Sequence, residues 1–436
     1  MFKSKKDKFF SGAFILAVGG FATKIIGAFY RIPLTNVLGA EGIGIYQMIF
    51  PLYCLLLTIS STGVPSGISK LISEGYDGKD VLKKSIKMFS IVGFISTILL
   101  IVFSKQIATF QGNVLATKSY IFIAPSVLLV SVISCLRGYF QGYVNMTPTA
   151  ISQVLEQTVK LTFGLTLGYI FRSNKILSAS LAVLSVTISE LVTVVYLLFL
   201  IRKGNKNYKE ESVIINSKKI LKTVFPIMLS TIIMPLSKTI ESFFILNILN
   251  KYLTNATSLY GLYSGAVESL VGVPVSVLYS IAVTSIPIVS KSGVSTSQKY
   301  KKIKKSIITT LILSIICSIC FYFASTFLIN FLYKGLSYEN KLITINMSKL
   351  ASLSVLTLPI MQTLVACIIA LGNYYVPVIS GAISIILKLI LSVILLNNPS
   401  INIFAVIITD ILCYLVACFL NLVYIIYSKN RRLKYE

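Results

Sequence analysis

The stretch TGVPSGISK at residues 62–70 has a counterpart in TSIPIVSK at residues 284–291. Thirteen residues after the final lysine of each copy, the tetrapeptide Lys-Lys-Ser-Ile begins, at Lys83 and at Lys304, and opens an apolar run. A glycine, a proline and a lysine then recur at nearly equal spacing in the two halves: Gly142, Pro148 and Lys160, and Gly372, Pro377 and Lys388. Because these short matches fall in the same order, they predict a duplicated unit.

Composition assigns the chain to the membrane. Of its 436 residues, 55% are hydrophobic and only 12% are charged, whereas soluble proteins average about 25% charged residues. A transmembrane helix needs about 20 mostly apolar residues. The chain offers twelve such runs: 9–32, 43–68, 86–104, 119–141, 149–171, 176–200, 223–249, 258–289, 306–333, 342–371, 375–396 and 401–427. The predicted fold is therefore an all-α polytopic membrane protein of about twelve transmembrane helices.

The duplication divides these helices into two six-helix lobes, which we place at residues 1–210 and 211–436. An even number of spans per lobe makes the repeat parallel, with a pseudo-two-fold axis along the membrane normal. In transporters of this plan the substrate binds near the midplane, where the repeats meet. The basic N-terminus and the apolar run after it are interpreted as a retained first span, with a break expected at Pro33.

Charge placement predicts the orientation. Predicted cytoplasmic segments carry 26 Lys and Arg residues if the N-terminus lies inside, and the outer loops carry 7. This bias follows the positive-inside rule and predicts that both termini are cytoplasmic. The net charge of +26 is thus a topology signal, and no nucleic-acid partner is expected.

Basic residues within the spans are the candidate binding residues. A Lys or Arg at the centre of a span costs about 2.5–3.5 kcal/mol on insertion scales, so such residues face protein or water. Lys24 and Arg31 share one face of the first span, and Lys238 matches Lys24 in the first span of the second half. We predict that these residues, with Lys70 as a further candidate, line a cationic cavity that attracts an anion. Snorkelling of Arg31 to the membrane interface and pairing of Lys238 with Glu241 are the alternatives.

Acidic residues within the spans suggest other roles. Glu156 and Lys160 are spaced i,i+4 and predict a structural ion pair. Glu268 and Glu241 are candidates for a cation or proton site. Asp410 and Glu190 occupy the equivalent last spans of the two halves, where buried pairing is expected.

Enzymatic chemistry is the least expected function. The chain has no His, which excludes His-based acid–base catalysis and His metal ligands. The pair Cys317 and Cys320 lies within an apolar span without a second pair, and is interpreted as packing rather than as a metal or redox site. No metal and no cofactor are expected.

Several segments resemble one known family. They are GAFYRIPL at 27–34, LGAEGIGIYQ at 38–47, LRGYFQG at 136–142, NMTPTA at 145–150 and LYG at 259–261. In this order they resemble the stage V sporulation protein B-like flippases of the multidrug/oligosaccharidyl-lipid/polysaccharide exporter superfamily, which are related to lipid II flippases. The resemblance implies an inner-membrane flippase for an undecaprenyl-pyrophosphate-linked sugar, such as a peptidoglycan precursor, in spore cortex or cell-wall synthesis.

The family also implies how the cargo moves. Its two lobes would open alternately to the two sides of the membrane around a cationic cavity. Lys24 and Arg31 match basic positions of that cavity, Lys238 matches more loosely, and Lys70 is the weakest match. The twelve predicted spans depart from the fourteen usual in close relatives, in which the last two form a groove for the lipid tail. Membrane lipids and cell-wall enzymes are the further partners implied. Two other functions stay open: a cation-coupled multidrug exporter that uses Glu268 and Glu241, and a non-transporting scaffold for cell-wall enzymes.

Overall fold

The computed structural model describes residues 5–61, 63–203, 215–290 and 295–434. Most of these residues lie in helices. The α-helices in these ranges are α1 Lys5–Ser60, α2 Val64–Ser73, α3 Gly78–Val102, α4 Ser104–Phe110, α5 Thr117–Gly142, α6 Thr147–Ile170, α7 Lys175–Lys203, α8 Ser217–Thr231, α9 Ile233–Leu249, α10 Ala256–Gly261, α11 Glu268–Ser290, α12 Thr296–Leu332, α13 Tyr338–Ala370, α14 Tyr375–Leu396 and α15 Phe404–Lys434. A π-helical segment, Leu262–Val267, joins α10 to α11.

The helices confirm an all-α, multi-pass membrane protein. Within the described residues, nine helical stretches are long and apolar enough to cross a membrane. They overlap ten of the twelve predicted spans, because the first stretch, Val18–Ser73, includes part of 9–32 and all of 43–68. Of the other two, 149–171 corresponds to α6, and 223–249 is divided between α8 and α9. The number of twelve spans stays a prediction.

The first break in the chain was predicted at the wrong residue. Helix α1 continues through Pro33, and non-helical backbone angles occur instead at Gly39 (φ 69°, ψ −177°). Proline removes a single backbone donor, and membrane helices tolerate that loss where neighbouring groups compensate. The angles of Gly39 lie in a region open almost solely to glycine. The glycine, rather than the proline, therefore ends the first straight segment.

Residues 63–70 of the repeated stretch form a turn and the start of a second helix. Helix α1 ends at Ser60, and α2 begins at Val64 after Gly63, which has a positive φ of 86°. Glycine adopts this conformation without steric penalty, and Pro65 suits the first turn of a helix because its missing N–H has no partner there. The predicted span 43–68 is therefore two helices.

Contacts divide the chain into two compact units, Met1–Phe243 and Phe244–Glu436. Each is described by itself, and the lobe boundary predicted at residue 210 stays a prediction. In the first unit, a buried core joins α2, α3, α5, α7 and α8, with Ile68, Phe89, Leu136, Leu197 and Val224 among its members.

Glycines allow α5 to lie directly against α2, as the Gly138-x-x-x-Gly142 spacing predicts. A Cβ atom at Gly138 would lie 2.9 Å from the Pro65 Cα, and one at Gly142 would lie 2.7 Å from the Ile72 Cβ. The first contact is with backbone, which cannot rotate away. Larger residues at Gly138 are therefore incompatible with this packing.

Gly138→Ala is expected to destabilise the protein by about 1–3 kcal/mol, the usual effect of overpacking. The thermal unfolding midpoint of the purified protein in detergent measures it. Gly381→Ala on α14 is the matched control, because nothing lies within 4 Å of the added Cβ atom. An equal or higher midpoint for Gly138→Ala than for wild type would contradict the packing described.

Small polar side chains join the helices of the second unit. Ser380 donates a hydrogen bond to Asn421 (2.9 Å), and Ser392 and Thr409 share one of 2.8 Å, both between α14 and α15. Interhelical hydrogen bonds of this kind contribute to membrane helix association, where the apolar solvent offers no competing partner. A buried core around Ile303, Leu364 and Ile425 joins α12, α13 and α15.

Candidate functional site

Cys54 on α1 lies within the electrostatic influence of three basic side chains of the first unit. The charges of Lys160 on α6, Lys238 on α9 and Arg31 on α1 all act on its thiol. Cys54 and Lys238 are exposed, and Arg31 and Lys160 are half-buried. We call Arg31, Lys160 and Lys238 the cation cluster. Two of its members were predicted from the sequence, and Lys160 was not.

Lys160 does not form the predicted ion pair with Glu156. The Glu156 carboxylate pairs with Arg137 of α5 at 2.9 Å, and Arg137 also donates to Ser152 at 2.9 Å. The planar guanidinium donates from two different nitrogens, Nε to Ser152 and Nη2 to Glu156, and so binds two side chains of α6 at once. Arg137 thereby has a structural role within the protein.

Aromatic rings surround the Lys160 ammonium instead. Its Nζ atom lies 5.6 Å from the ring centroid of Tyr30 and 5.4 Å from that of Phe50. Cations within about 6 Å of a ring face are attracted to it. Among the described residues, no carboxylate oxygen lies within 4.0 Å of this ammonium.

The other predicted binding residues are not brought into this cluster. The Lys24 side chain lies outside the described residues. Lys70 forms a loose 3.8 Å pair with Glu74 at the end of α2, with 63% of its side chain exposed. It is not among the cations that act on Cys54. Of the predicted cavity cations, Arg31 and Lys238 are the two whose charges reach Cys54, and their role in a cavity stays a prediction.

The two predicted cation or proton carboxylates lie in different units. Glu241 is buried on α9 in the first unit. Glu268 is half-buried at the start of α11, directly after the π-helical segment of the second unit. Their role stays a prediction.

A hydrogen-bonded carboxylate that the sequence did not single out as functional lies near the cluster. Glu190 on α7 is 2% exposed, and the Tyr53 hydroxyl of α1 donates to its Oε1 atom. Its Oε2 atom is buried and has no hydrogen-bond partner among the described residues. The position of Glu190 within an apolar span makes it noticeable in the sequence. No local sequence signal identifies Tyr53 as its hydrogen-bond partner, because the two residues are 137 positions apart.

The second unit holds a complete ion pair. Lys388 of α14 lies 2.6 Å from Asp410 of α15, with side chains 8% and 13% exposed. Tyr263 of the π-helical segment donates to the other Asp410 oxygen at 2.5 Å. The buried pairing expected for Asp410 is confirmed.

The fold is that of a known class of membrane transporters. An inward-facing multidrug resistance MATE family transporter of the MOP superfamily superimposes with a TM-score of 0.75 at 14% identity, over 94% of this chain and 96% of the other. The lipid II flippase MurJ in an inward closed conformation gives a TM-score of 0.74 at 18% identity, over 94% of this chain and 87% of MurJ. At these identities the likeness is one of fold.

Sequence similarity identifies the family. Residues 9–293 match the family described as polysaccharide biosynthesis protein, and the chain belongs to it. Stage V sporulation protein B of Bacillus subtilis (strain 168) is 30% identical over 305 residues, which are 66% of this chain and 59% of that protein. The lipid II flippase MurJ of the same organism is 26% identical over 337 residues, 70% of this chain and 61% of MurJ. The chain thus spans about three fifths of the length of these two relatives. The family predicted from the sequence is confirmed.

Proposed function

We propose that this protein is a flippase that moves an undecaprenyl-pyrophosphate-linked sugar outward across the bacterial cell membrane by alternating access. Its cargo is a peptidoglycan precursor such as lipid II, in cell-wall or spore cortex synthesis. Both termini are cytoplasmic in this proposal. Similarity to the lipid II flippase MurJ and to stage V sporulation protein B supports the proposal.

The observation that carries the proposal is the cation cluster. Three basic side chains from three apolar helices act on one exposed cysteine. Basic residues within apolar spans are costly, so they mark pathways for substrates or ions. Arg binds a phosphate with two parallel hydrogen bonds, and Lys adds a flexible point charge. Together they suit the pyrophosphate of the cargo, which must leave water to cross the membrane.

Reconstitution tests the proposal directly. Purified protein in vesicles with undecaprenyl-pyrophosphate-linked sugar on one leaflet is expected to move the sugar to the other leaflet, where an impermeant sugar-modifying reagent detects it. Vesicles without protein are the control. Movement of cationic drugs in the same vesicles, without movement of the sugar lipid, would reject the proposal in favour of a multidrug exporter.

Cys54 offers a reporter of anion binding. In a variant that keeps only this cysteine, an anionic methanethiosulfonate reagent is expected to react about tenfold faster than a cationic one, because the cluster concentrates anions. Geranyl pyrophosphate is expected to slow the reaction. The matched control carries its single cysteine at the exposed Ser400, in the turn between α14 and α15 (Ser400→Cys). Equal rates for the two reagents at Cys54 would contradict an anion-attracting cluster.

A further inference from the structure

The repeated tetrapeptide Lys-Lys-Ser-Ile has different surroundings in the two units. In the first unit, Lys84 lies 2.8 Å from Asp80 and donates to the Ile215 carbonyl at 2.7 Å. Asp80 in turn accepts from the Ile215 N–H group at 3.0 Å. This copy therefore fixes the chain that leads into α8. In the second unit, Lys304 and Lys305 are exposed near the start of α12.

Carboxylates accompany the first copy and are absent from the second. Residues 74–87 contain four lysines and three carboxylates, a net charge of +1, whereas residues 291–305 contain six lysines and no carboxylate, a net charge of +6. The sequence has no Asp or Glu between Glu268 and Glu339. The positive-inside rule counts Lys and Arg and takes little account of acids, so both copies satisfy it. The uncompensated charge of the second copy needs another explanation.

Packing holds the basic end of α12 beside the end of α15. Tyr300 and Ile303 are buried in the core that joins α12, α13 and α15, and the Tyr300 hydroxyl shares a hydrogen bond of 2.8 Å with Ser428. The basic side chains around these contacts are exposed. We call them the basic rim, and they are Lys301, Lys304 and Lys305 of α12 and Lys429 and Arg431 of α15.

Exposed apolar side chains adjoin the basic rim on both helices. On α12 they begin with Ile308, one turn after Lys305, and on α15 they end with Ile426 and Tyr427, just before Lys429. Helix α12 has 37 residues and is about 55 Å long, which exceeds the hydrocarbon layer of about 30 Å. Its basic end is therefore expected among the lipid headgroups. The most distant rim lysine on α12 is about 10 Å along the helix from the first exposed apolar residue.

We propose that the basic rim is a binding surface for the headgroups of anionic phospholipids. Lysines beside a transmembrane helix are attracted to anionic lipid, and the attraction extends over a Debye length of about 8–10 Å at moderate salt. The rim lies at this distance from lipid-facing side chains, so one lipid can engage both with its headgroup and with its acyl chains. An acidic segment of another protein would match the charge but not the adjoining apolar residues. This surface lies outside the cation cluster and does not depend on the cargo.

Native mass spectrometry of the full chain in a neutral detergent tests the proposal. Dioleoyl phosphatidylglycerol and dioleoyl phosphatidylcholine are the probes, because they share their acyl chains and differ in headgroup charge. Wild type is expected to bind the anionic lipid about tenfold more tightly than the zwitterionic one. Lys301→Gln/Lys304→Gln/Lys305→Gln is expected to lose most of this preference.

The matched control removes the same charge from the equivalent helix of the first unit. Lys79, Lys83 and Lys87 are exposed near the start of α3, and Lys79→Gln/Lys83→Gln/Lys87→Gln is expected to keep most of the preference. Replacing the three rim lysines of α12 with arginine is also expected to keep it, because the charge is unchanged.

Several outcomes would overturn the proposal. They are equal binding of the two lipids by wild type, an unchanged preference in the glutamine variant of α12, and equal losses in that variant and the α3 control. Rim-dependent binding of poly-L-glutamate without a preference for the anionic lipid would assign the surface to an acidic protein segment instead. A further measurement needs no variant. Salt screens charge attraction, so the wild-type preference is expected to fall as ammonium acetate is raised about tenfold, and a constant preference would exclude an electrostatic surface.

Discussion

Replacing Arg31 and Lys238 together with alanine is expected to reduce flipping of an undecaprenyl-pyrophosphate-linked sugar by about 100-fold or more. Hydrogen bonds to charged groups contribute about 1.5–3 kcal/mol each, and about 1.4 kcal/mol corresponds to a tenfold change in binding. Two lost contacts therefore suffice for that reduction. Initial flipping rates in vesicles at matched protein content measure the effect.

The control must remove the same charge elsewhere. Lys105 and Lys118 are exposed and lie in a predicted outer loop, so Lys105→Ala/Lys118→Ala has the same formal charge as the double variant. We expect it to flip at the wild-type rate. Lys238→Arg combined with native Arg31 is expected to retain most activity, because the positive charge stays. Wild-type flipping by Arg31→Ala/Lys238→Ala would exclude these side chains from headgroup binding.

Hydropathy identifies helices better than it locates their ends. Twenty apolar residues are a physical requirement for spanning the membrane, so most predicted spans correspond to observed helices. A break depends on one residue and its surroundings. Pro33 removes one donor, and the helix continues, whereas Gly39 adopts angles that other residues rarely can. Only the tertiary structure shows which proline or glycine interrupts the helix.

The candidate site shows the same limit. The cost of placing charge in a span is general, and it is the reason that Arg31 and Lys238 are candidate binding residues. The predicted partner of Glu156 was wrong. The i,i+4 rule describes pairs on an isolated helix, and each such pair contributes only about 0.2–0.5 kcal/mol. Arg137 approaches from another helix with a bidentate group. The aromatic surroundings of Lys160 are equally non-local, since Tyr30 and Phe50 lie far from it in sequence.

Removing one partner of the Lys388–Asp410 pair is expected to have the largest effect on stability. Lys388→Ala or Asp410→Ala leaves a buried charge without its counter-ion, which typically costs about 3–5 kcal/mol. Lys388→Met/Asp410→Leu removes both charges and is expected to recover most of that loss, since apolar replacements of buried pairs are often neutral. Unfolding of the purified variants by denaturant, followed by circular dichroism, compares them.

The exposed pair Lys70–Glu74 is the matched control for burial. It is separated by 3.8 Å, with side chains 63% and 42% exposed, and such surface pairs contribute about 0–1 kcal/mol. Lys70→Ala is therefore expected to leave stability nearly unchanged. If Lys388→Ala were as mild as Lys70→Ala, the buried pair would not hold α14 to α15. Tyr263 donates to the same carboxylate. Tyr263→Phe is therefore expected to lower the stability of the wild-type protein but not that of Lys388→Met/Asp410→Leu, in which the acceptor is absent.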